Sequence, residues 1–268
     1  MASRPLRVTI FILANFALIA LGSWATARLT PKAPPPAPDD GDPFVAYYGR
    51  LYSEEVAEVA HHDEPHNSNA IEEAVVREFF ADRDGGVFLD IGANHYKNGS
   101  NTYYLEKNLN WSGIAVDALD EFRANWEKNR PNTKFFTAFI SDKPDAEETI
   151  YVAKEALGVS SATKSFTEDE EHQKGKTVER KVPTMTLDQL LSREKVEHVD
   201  FVSIDIELAE PKALAGFDIE KYRPALVCIE AHKSVRQQIL DYFARHKYVL
   251  LGKYLHADFL NLYFKPLD

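Results

Sequence analysis

The stretch "VFLDIGANHY" (residues 87–96) ends an apolar run with an acid, a glycine and an amide. A short apolar run bounded by a glycine is typical of a buried strand. Gly92 allows the backbone to turn tightly and to come close to a ligand. Asp90 and Asn94 add a carboxylate and an amide at the same place. This stretch therefore predicts a buried strand that leads into a ligand-binding loop.

Around this strand, short apolar strands alternate with helices. The segments "SGIAVDAL", "VDFVSIDIE" and "PALVCIEA" are wholly or mostly apolar, and helical patterns separate them. This alternation predicts an α/β domain whose mostly parallel sheet is covered on both faces. The final "YVLLGKYLHADFLNLYFKP" holds two strands that are too close for a crossover helix, so they must pair antiparallel. A parallel sheet closed by one reversed strand is the layout of class I methyltransferases, by analogy of fold alone.

Residues 1–30 form a membrane anchor or a signal segment by their sequence. Arg4 and Arg7 precede an apolar run over residues 8–27 that is roughly long enough to cross a bilayer as a helix. The alternative is a cleaved signal peptide, because Ala25-Thr26-Ala27 resembles a cleavage site. We favour the N-terminal transmembrane helix, which makes the membrane a partner of this chain.

Two further regions follow the anchor. Residues 31–65 begin with a Pro-rich, acidic stretch typical of a semi-stiff linker, and residues 66–268 hold the alternating pattern of the folded domain. The chain of 268 residues has a net charge of -11, and its Lys and Arg are scattered among acids. Nucleic-acid binding needs clustered basic residues, so no nucleic-acid partner is expected.

Polar residues also end the next two predicted strands. Asp117 ends the second strand, at the distance from Gly92 where an acid can hold ribose hydroxyls. Ser141 and Asp142 end the third, where they can hydrogen-bond an adenine edge. Because open α/β sheets bind ligands at the carboxyl ends of their strands, these residues predict a nucleoside site.

Two nucleoside ligands compete for this pattern. A dinucleotide needs the spacing G-x-G-x-x-G, and the run from Gly92 to Lys97 lacks both later glycines. S-adenosylmethionine carries a sulfonium cation and no phosphate, so an acid-rich site suits it better. Asp90 or Asn94 taken alone is also explained as a cap of the next helix. Three acid-bearing strand ends in order favour S-adenosylmethionine.

A second polar set follows the fourth and fifth strands. "SIDIELAEP" contributes Asp205, Glu207 and Glu210, and "CIEAH" contributes Glu230 and His232. Carboxylates and an imidazole that converge on neighbouring strand ends suit a general base or a divalent metal, and the sequence does not decide whether a metal is bound. An acid-rich helix start accounts for Glu207 and Glu210 but not for Asp205, which ends an apolar strand.

Taken together, "FLDIGANHY…SNTYYLEK…GIAVDA…ISD…VDFVSIDIELAEPKALAGFD" resembles the FkbM-type methyltransferase family over about residues 70–265. The resemblance implies a Rossmann-like fold, S-adenosylmethionine as the donor, and a hydroxyl of a sugar or another natural product as the acceptor. It also implies the donor-site residues Asp90, Gly92, Asn94, Asp117 and Asp142, and the active-site block of Asp205, Glu207 and Glu210. Leu208 departs from the common family form, which has a glycine there.

The expected function is therefore that of a membrane-tethered O-methyltransferase with its catalytic domain in the cytosol, where the donor is made. Its acceptor is a small molecule or a glycan. Glu207 or His232 is the expected base, and Asp205 orients that base or holds a metal. A non-catalytic membrane adaptor with the same fold is the alternative. The polar segment 154–176 is either a lid over the acceptor or a disordered insertion.

Overall fold

The computed structural model describes residues 59–61, 64–153, 157–168, 177–255, 257–258 and 260–267. The strands in these residues are, in chain order, β1 (Val87–Ile91), β2 (Ser112–Asp117), β3 (Thr133–Thr137), β4 (Phe139–Ile140), β5 (Glu147–Ala153), β6 (Thr177–Met185), β7 (Phe201–Ile204), β8 (Leu226–Glu230), β9 (Tyr248–Leu250) and β10 (Asn261–Pro266).

Helices connect most of these strands. They are α1 (Glu72–Phe80), α2 (Tyr103–Leu109), α3 (Arg123–Asn129), α4 (Lys164–Thr167), α5 (Leu187–Arg193), α6 (Glu210–Ala215), α7 (Ile219–Tyr222) and α8 (Arg236–Arg245). Short 3₁₀ turns occur at Asp120–Phe122, Leu157–Val159 and Gly252–Tyr254.

The main sheet has seven strands in the order β3-β2-β1-β7-β8-β10-β9. β3, β2, β1, β7 and β8 pair parallel, and β10 runs antiparallel to both β8 and β9. The predicted α/β fold with a reversed last strand is confirmed. The chain leaves β1 on one side towards β2 and returns on the other as β7. The carboxyl end of β1 therefore borders a topological switch point, where open α/β sheets bind ligands.

Each central strand is buried on both faces, as parallel strands between helices must be. Leu89, Ile91 and Val202 face one apolar cluster, which also includes Leu190 of α5 and Ile239 of α8. The alternate residues of the strands face the other side of the sheet, where Phe88 and Phe201 pack with Val75 and Val76 of α1. The period of two along a strand thus gives the buried side chains of β1 and β7 packed neighbours on alternate faces of the sheet.

The third strand does not end where the sequence predicted. β3 ends at Thr137, and Ala138 donates its N–H to the carbonyl of Asp117 before the chain turns into β4. β4 belongs to a second sheet of order β4-β6-β5. The prediction that Ser141 and Asp142 end a strand of the main sheet is therefore wrong, because the continuous apolar pattern of 135–140 conceals the break between β3 and β4.

β6 was not predicted from the sequence. It pairs antiparallel with β5 along its whole length and parallel with β4 at its end. Its first residues, Thr177 to Lys181, are partly or fully exposed and mostly polar, so they lack the apolar signal of a core strand.

The predicted transmembrane helix and most of the linker fall within residues 1–58, outside the described residues. No helix in the described part of the chain is long and apolar enough to span a bilayer.

A buried ion pair between Arg130 and Glu106 fixes the loop between β1 and α2. Both side chains are at most 1% exposed. The other guanidinium nitrogens of Arg130 donate to the carbonyl of Tyr96 at 2.9 Å and to the carbonyl and hydroxyl of Thr102 at 3.1 Å. A buried charge needs such partners to offset its lost hydration. This network therefore holds residues 96–102 against the sheet.

Candidate active site

The loop that follows β1 passes so close to the end of β7 that only glycine fits. Gly92 has a φ of 81°, and a Cβ added to it would lie 1.7 Å from the carbonyl oxygen of Asp205. The N–H groups of Gly92 and Ala93 both donate to the carbonyl of Val116, at 2.9 and 3.0 Å. The loop after β1, called the donor loop below, therefore lies between the ends of β2 and β7. The sequence placed two groups at this edge of the sheet: the donor, and the acid block formed by Asp205, Glu207, Glu210, Glu230 and His232.

Asp90 lies below this loop and is buried. It is 5% exposed and accepts a 2.6 Å hydrogen bond from the Thr102 hydroxyl. Burial raises the pKa of Asp90, while Thr102 and the charge of Arg130 oppose that shift. The structure gives Asp90 a role in anchoring the loop from within the strand. Its predicted contact with the donor stays a prediction.

Asp117 ends β2 and binds the same loop. Its two carboxylate oxygens accept from the N–H groups of Asn94 and Leu119, at 2.9 and 2.8 Å. The surrounding protein raises the pKa of Asp117 to about 6, and the charges of Asp90 and Glu121 add to that effect. The carboxylate is thus oriented by the backbone, with lone pairs left over for ribose hydroxyls.

A narrow cavity of about 50 Å³ lies where these groups meet. Gly92, Asn94 and Asp117 line it from one side, and Asp205 and Glu207 line it from the other. The segment Leu157 to Ser160 closes its outer face. A Cβ on Gly158 would lie 2.5 Å from the side-chain nitrogen of Asn94, so this segment rests directly on the donor loop. The described part of segment 154–176 therefore lies in a lid position.

Ser141 and Asp142 do not line this cavity. Ser141 is buried, donates its N–H to the carbonyl of Met185 and its hydroxyl to the Asp142 carboxylate, and Asp142 is exposed. Their position follows from the early end of β3. Their role in binding the donor stays a prediction that the geometry does not favour.

Five acid-block side chains were predicted to converge, and three of them meet closely. His232 follows β8, and its Nε2 lies 3.1 Å from Glu230 Oε1 and 3.7 Å from Glu207 Oε2. Each of these three residues offers a metal-ligand atom within 4.8 Å of the others. The register explains the meeting, because β7 and β8 are parallel neighbours and their following residues leave the sheet at the same edge.

The charges in this block are strongly coupled. Glu207, and then Glu230, raise the pKa of His232 to about 10, so the ring holds a proton at neutral pH. Desolvation by the surrounding protein, followed by the charges of Glu230 and Glu207, raises the pKa of Asp205, although the residue keeps an exposed surface. Of the two predicted bases, the structure therefore favours Glu207 over His232, because a protonated imidazole cannot accept a second proton.

Glu210 has a different position from the other acids. It is fully buried at the start of α6, and its Oε1 accepts from the N–H of Ile206 at 3.1 Å. Burial, and then the charge of Glu230, raise its pKa to about 8. Glu210 thus holds the turn that presents Glu207 and does not line the cavity beside it, so we assign it a positioning role.

Leu208 occupies a conformation that suits glycine. Its φ is 77°, and that of Glu207 is 54°, both in the left-handed region. An L-residue there is strained by roughly 1–2 kcal/mol. The side chain of Leu208 packs against the core and lines a second cavity of about 400 Å³. This is the position where the sequence departs from the common family glycine.

The second cavity begins on the other side of His232. Phe166 and Leu260 add to its apolar lining, and the Phe166 ring lies edge-on to the imidazole with centroids 5.2 Å apart. Ser161, on the same segment as Phe166, donates its hydroxyl to the carbonyl of Glu207. Phe166 and Ser161 belong to segment 154–176, which the sequence predicted as a lid or a disordered insertion without singling out either residue, and Leu260 was not predicted.

A cavity of about 360 Å³ also exists at the opposite edge of the sheet, around Gly113, Lys134 and His198. It lies at the amino ends of the strands, away from the edge where open α/β sheets bind ligands. We therefore place the candidate active site at the carboxyl edge.

A model of the family described as the methyltransferase FkbM domain matches residues 90–250. No curated protein matches the chain.

Solved structures with some similarity include three methyltransferases. A TehB-like SAM-dependent methyltransferase from Corynebacterium glutamicum is 13% identical, with 83% of this chain and 98% of that chain covered and a TM-score of 0.42. A precorrin-6y C5,15-methyltransferase from Geobacter metallireducens is 13% identical, with 72% and 84% covered and a TM-score of 0.39. A Burkholderia thailandensis 1,6-didemethyltoxoflavin-N1-methyltransferase with bound S-adenosylhomocysteine is 12% identical, with 89% and 94% covered and a TM-score of 0.37.

Gly92→Ala is expected to destabilise the domain by about 3 kcal/mol or more, because the new methyl group collides with the Asp205 backbone. The matched control is Gly85→Ala. Gly85 also has a positive φ, 72°, but open space around its Cβ position, so only the backbone strain of about 1 kcal/mol applies. Urea unfolding of both variants measures the difference. Equal losses of stability would show that the close approach is not a constraint.

Leu208→Gly is expected to be more stable than Leu208→Ala by roughly 0.5–1 kcal/mol, since both lose the same packing but only glycine removes the strain. Leu240, which packs on the same core from inside α8, is the control. There the order should reverse, with alanine more stable by about 1 kcal/mol. Thermal unfolding of the four variants measures their stabilities. If glycine and alanine rank in the same order of stability at both positions, the backbone of Leu208 is not strained.

Proposed function

The chain belongs to the FkbM methyltransferase family and uses S-adenosylmethionine, and on this premise we propose that it methylates a hydroxyl oxygen of a small molecule or glycan. The observation that carries the proposal is the contact between Gly92 and Asp205. At this contact the loop expected to hold the donor lies against the backbone of the block expected to act on the acceptor, with no room for a side chain between them. A methyl transfer needs both reactants in line, and that alignment can supply roughly 7–11 kcal/mol of the barrier.

S-adenosylmethionine supplies an electrophilic methyl group on a sulfonium sulfur. In the proposed reaction an O–C bond to the acceptor forms while the S–C bond breaks, and the acceptor proton must be removed. Asp117 holds the ribose end of the donor through the oxygens that the backbone orients. Glu207, which lines the narrow cavity, takes the proton. A positioned base of this kind typically accelerates a reaction 10²–10⁴-fold.

The positive charge of the protonated His232 ring supports Glu207 in this role. The imidazolium of His232 lies 3.7 Å from Glu207 Oε2, so its charge offsets part of the repulsion between Glu207 and the neighbouring carboxylate of Glu230. Glu230 completes the set, because its Oε1 lies 3.1 Å from the same Nε2 of His232. A hydroxyl is the acceptor that most needs this arrangement, because it must lose its proton as the ether forms.

The second cavity supports a compact acceptor. About 400 Å³ lies within the range of small-ligand sites. Its lining combines apolar side chains with polar and cationic ones: Leu208, Phe166 and Leu260 with His232, Lys233, Ser234 and Arg236. A sugar unit, with one apolar face and several hydroxyls, fits a cavity of this chemistry. We therefore propose a sugar or a similar polyhydroxy group as the acceptor.

We also propose that residues 1–30 tether the enzyme to a membrane as a single-pass anchor with the catalytic domain in the cytosol. The support is the apolar run over residues 8–27 and the buried, unpaired thiol of Cys228, which needs no oxidising compartment. Protease treatment of intact cells should spare the domain and digest it after lysis. Digestion in intact cells, or a mature chain that starts at Arg28, would contradict this topology.

Two variants should separate donor binding from turnover. Asp117→Asn is expected to weaken S-adenosylmethionine binding 10–100-fold, because hydrogen bonds to a charged acceptor are worth about 1.5–3 kcal/mol. With a pKa of about 6 in the free protein, Asp117 becomes protonated as the pH falls below that value. Wild-type donor affinity should therefore decline towards low pH, and the Asn variant should lose that part of the dependence. Calorimetric titration across pH measures both effects.

Glu207→Gln should instead lower turnover about 10²-fold or more while donor affinity stays within a few-fold. Glu220→Gln is the control, since Glu220 also pairs with a histidine, His246 at 3.0 Å, and lines neither the narrow nor the second cavity. The assay incubates each protein with the donor and a membrane and glycan extract. It measures S-adenosylhomocysteine and searches by mass spectrometry for products that are one CH₂ heavier. A Gln variant as active as wild type would remove Glu207 as the base.

A further inference from the structure

Three polar atoms of the acid block are buried without a hydrogen-bond partner in the described structure. They are Oε2 of Glu210, Oε2 of Glu230 and Nε2 of His232, and the last two lie in one cluster with Glu207. Glu230 is only 6% exposed, so its second oxygen has little access to bulk water. An unsatisfied buried polar atom costs roughly 1–3 kcal/mol, and a charged one more. Unsatisfied atoms that share one cluster indicate that a ligand binds there or that the cluster has a function.

The His232 contact also lacks hydrogen-bond geometry. Its Nε2 approaches Glu230 Oε1 to 3.1 Å and Glu207 Oε2 to 3.7 Å, yet it makes no hydrogen bond that satisfies it. Ligands placed about 2.1 Å from a common ion lie about 3 Å from one another. The two His232 contacts, 3.1 and 3.7 Å, are close to that ligand spacing, and one atom from each of the three side chains lies within 4.8 Å of the others.

We infer that Glu207, Glu230 and His232 form a binding site for one divalent first-row metal ion, with Mn²⁺ as the ion that the ligands suit best. Two carboxylates favour Mn²⁺ over softer ions, and an imidazole distinguishes it from Ca²⁺ and Mg²⁺ sites, which take oxygen ligands. Because a histidine ligand is neutral, the ion displaces the proton that His232 otherwise holds.

Three protein ligands leave coordination positions for other groups, as in catalytic metal sites. Glu207 lines the narrow cavity and His232 lines the larger one, so those positions lie between donor and acceptor. The metal site itself stands independently. Its role rests on the proposed function: with the ion bound, Glu207 would serve as a ligand and not as the base, and the ion would bind the acceptor hydroxyl and lower its pKa so that the proton is lost more readily.

The test begins with the full chain freed of metal by a chelator and dialysis, without donor or acceptor. Titration with MnCl₂, followed by electron paramagnetic resonance and calorimetry, should show one saturable site per chain. Glu230→Gln and His232→Asn should each weaken that binding at least tenfold. The nitrogen coupling in the pulsed spectrum of the bound ion should disappear in His232→Asn.

His246→Asn is the matched control, because His246 forms a surface pair with Glu220 at 3.0 Å that resembles the His232–Glu230 pair in distance only. It should leave Mn²⁺ binding unchanged. Circular dichroism and thermal unfolding confirm that each variant is folded. If a site variant fails to fold, the nitrogen coupling in the wild-type protein still decides, since its absence would contradict a histidine ligand.

The outcomes separate this inference from the proposed function. One Mn²⁺ bound through nitrogen supports the inference whether or not an O-methylated product is found. A chain that binds no Mn²⁺, or binds it equally well in both site variants, overturns the inference. Methyl transfer that persists in the presence of chelator would then leave the proposed function intact.

Discussion

The arrangement of the site depends on one steric constraint, the approach of the Gly92 backbone to the carbonyl of Asp205. β1 and β7 are adjacent parallel strands, and the chain departs from them in different directions. Their loops must therefore pass each other at the switch point. With any side chain at position 92 the loops would separate, and Asp117 and Glu207 would no longer face one cavity. The catalytic geometry is thus set by the backbone before any charged group acts.

A second constraint is the concentration of like charge next to that contact. Asp205, Glu207 and Glu230 lie together, and neighbouring carboxylates raise the pKa of Asp205. Like charges at this distance cannot all ionise without a cation. His232 meets that need in the described structure by holding a proton. The metal site that we infer would meet the same need in another way, with a divalent ion in place of the proton on the imidazole.

The sequence predicts those parts of the fold that short apolar strands and glycine chemistry determine. β1, β7 and β8 and their order could be inferred because buried parallel strands are apolar throughout, and Gly92 because a tight turn was needed. The end of β3 could not be inferred, because the mostly apolar run of residues 135–140 continues into a second sheet. The sequence also could not predict that His232 would pair with Glu207 and not with Glu210, because this pairing depends on the left-handed turn at 207–208.

That turn links backbone strain to the choice of acceptor. Glycine at position 208 would adopt the same φ without strain and would leave the cavity wall open. Leucine instead bears the strain and fills part of the wall opposite Phe166. Backbone strain persists where surrounding contacts stabilise the strained conformation. Here the Glu210 carboxylate accepts from the N–H of Ile206, and the Ser161 hydroxyl donates to the carbonyl of Glu207. Because the same turn aims Glu207, any change that relaxes Leu208 alters the shape of the acceptor cavity and the direction of the base together.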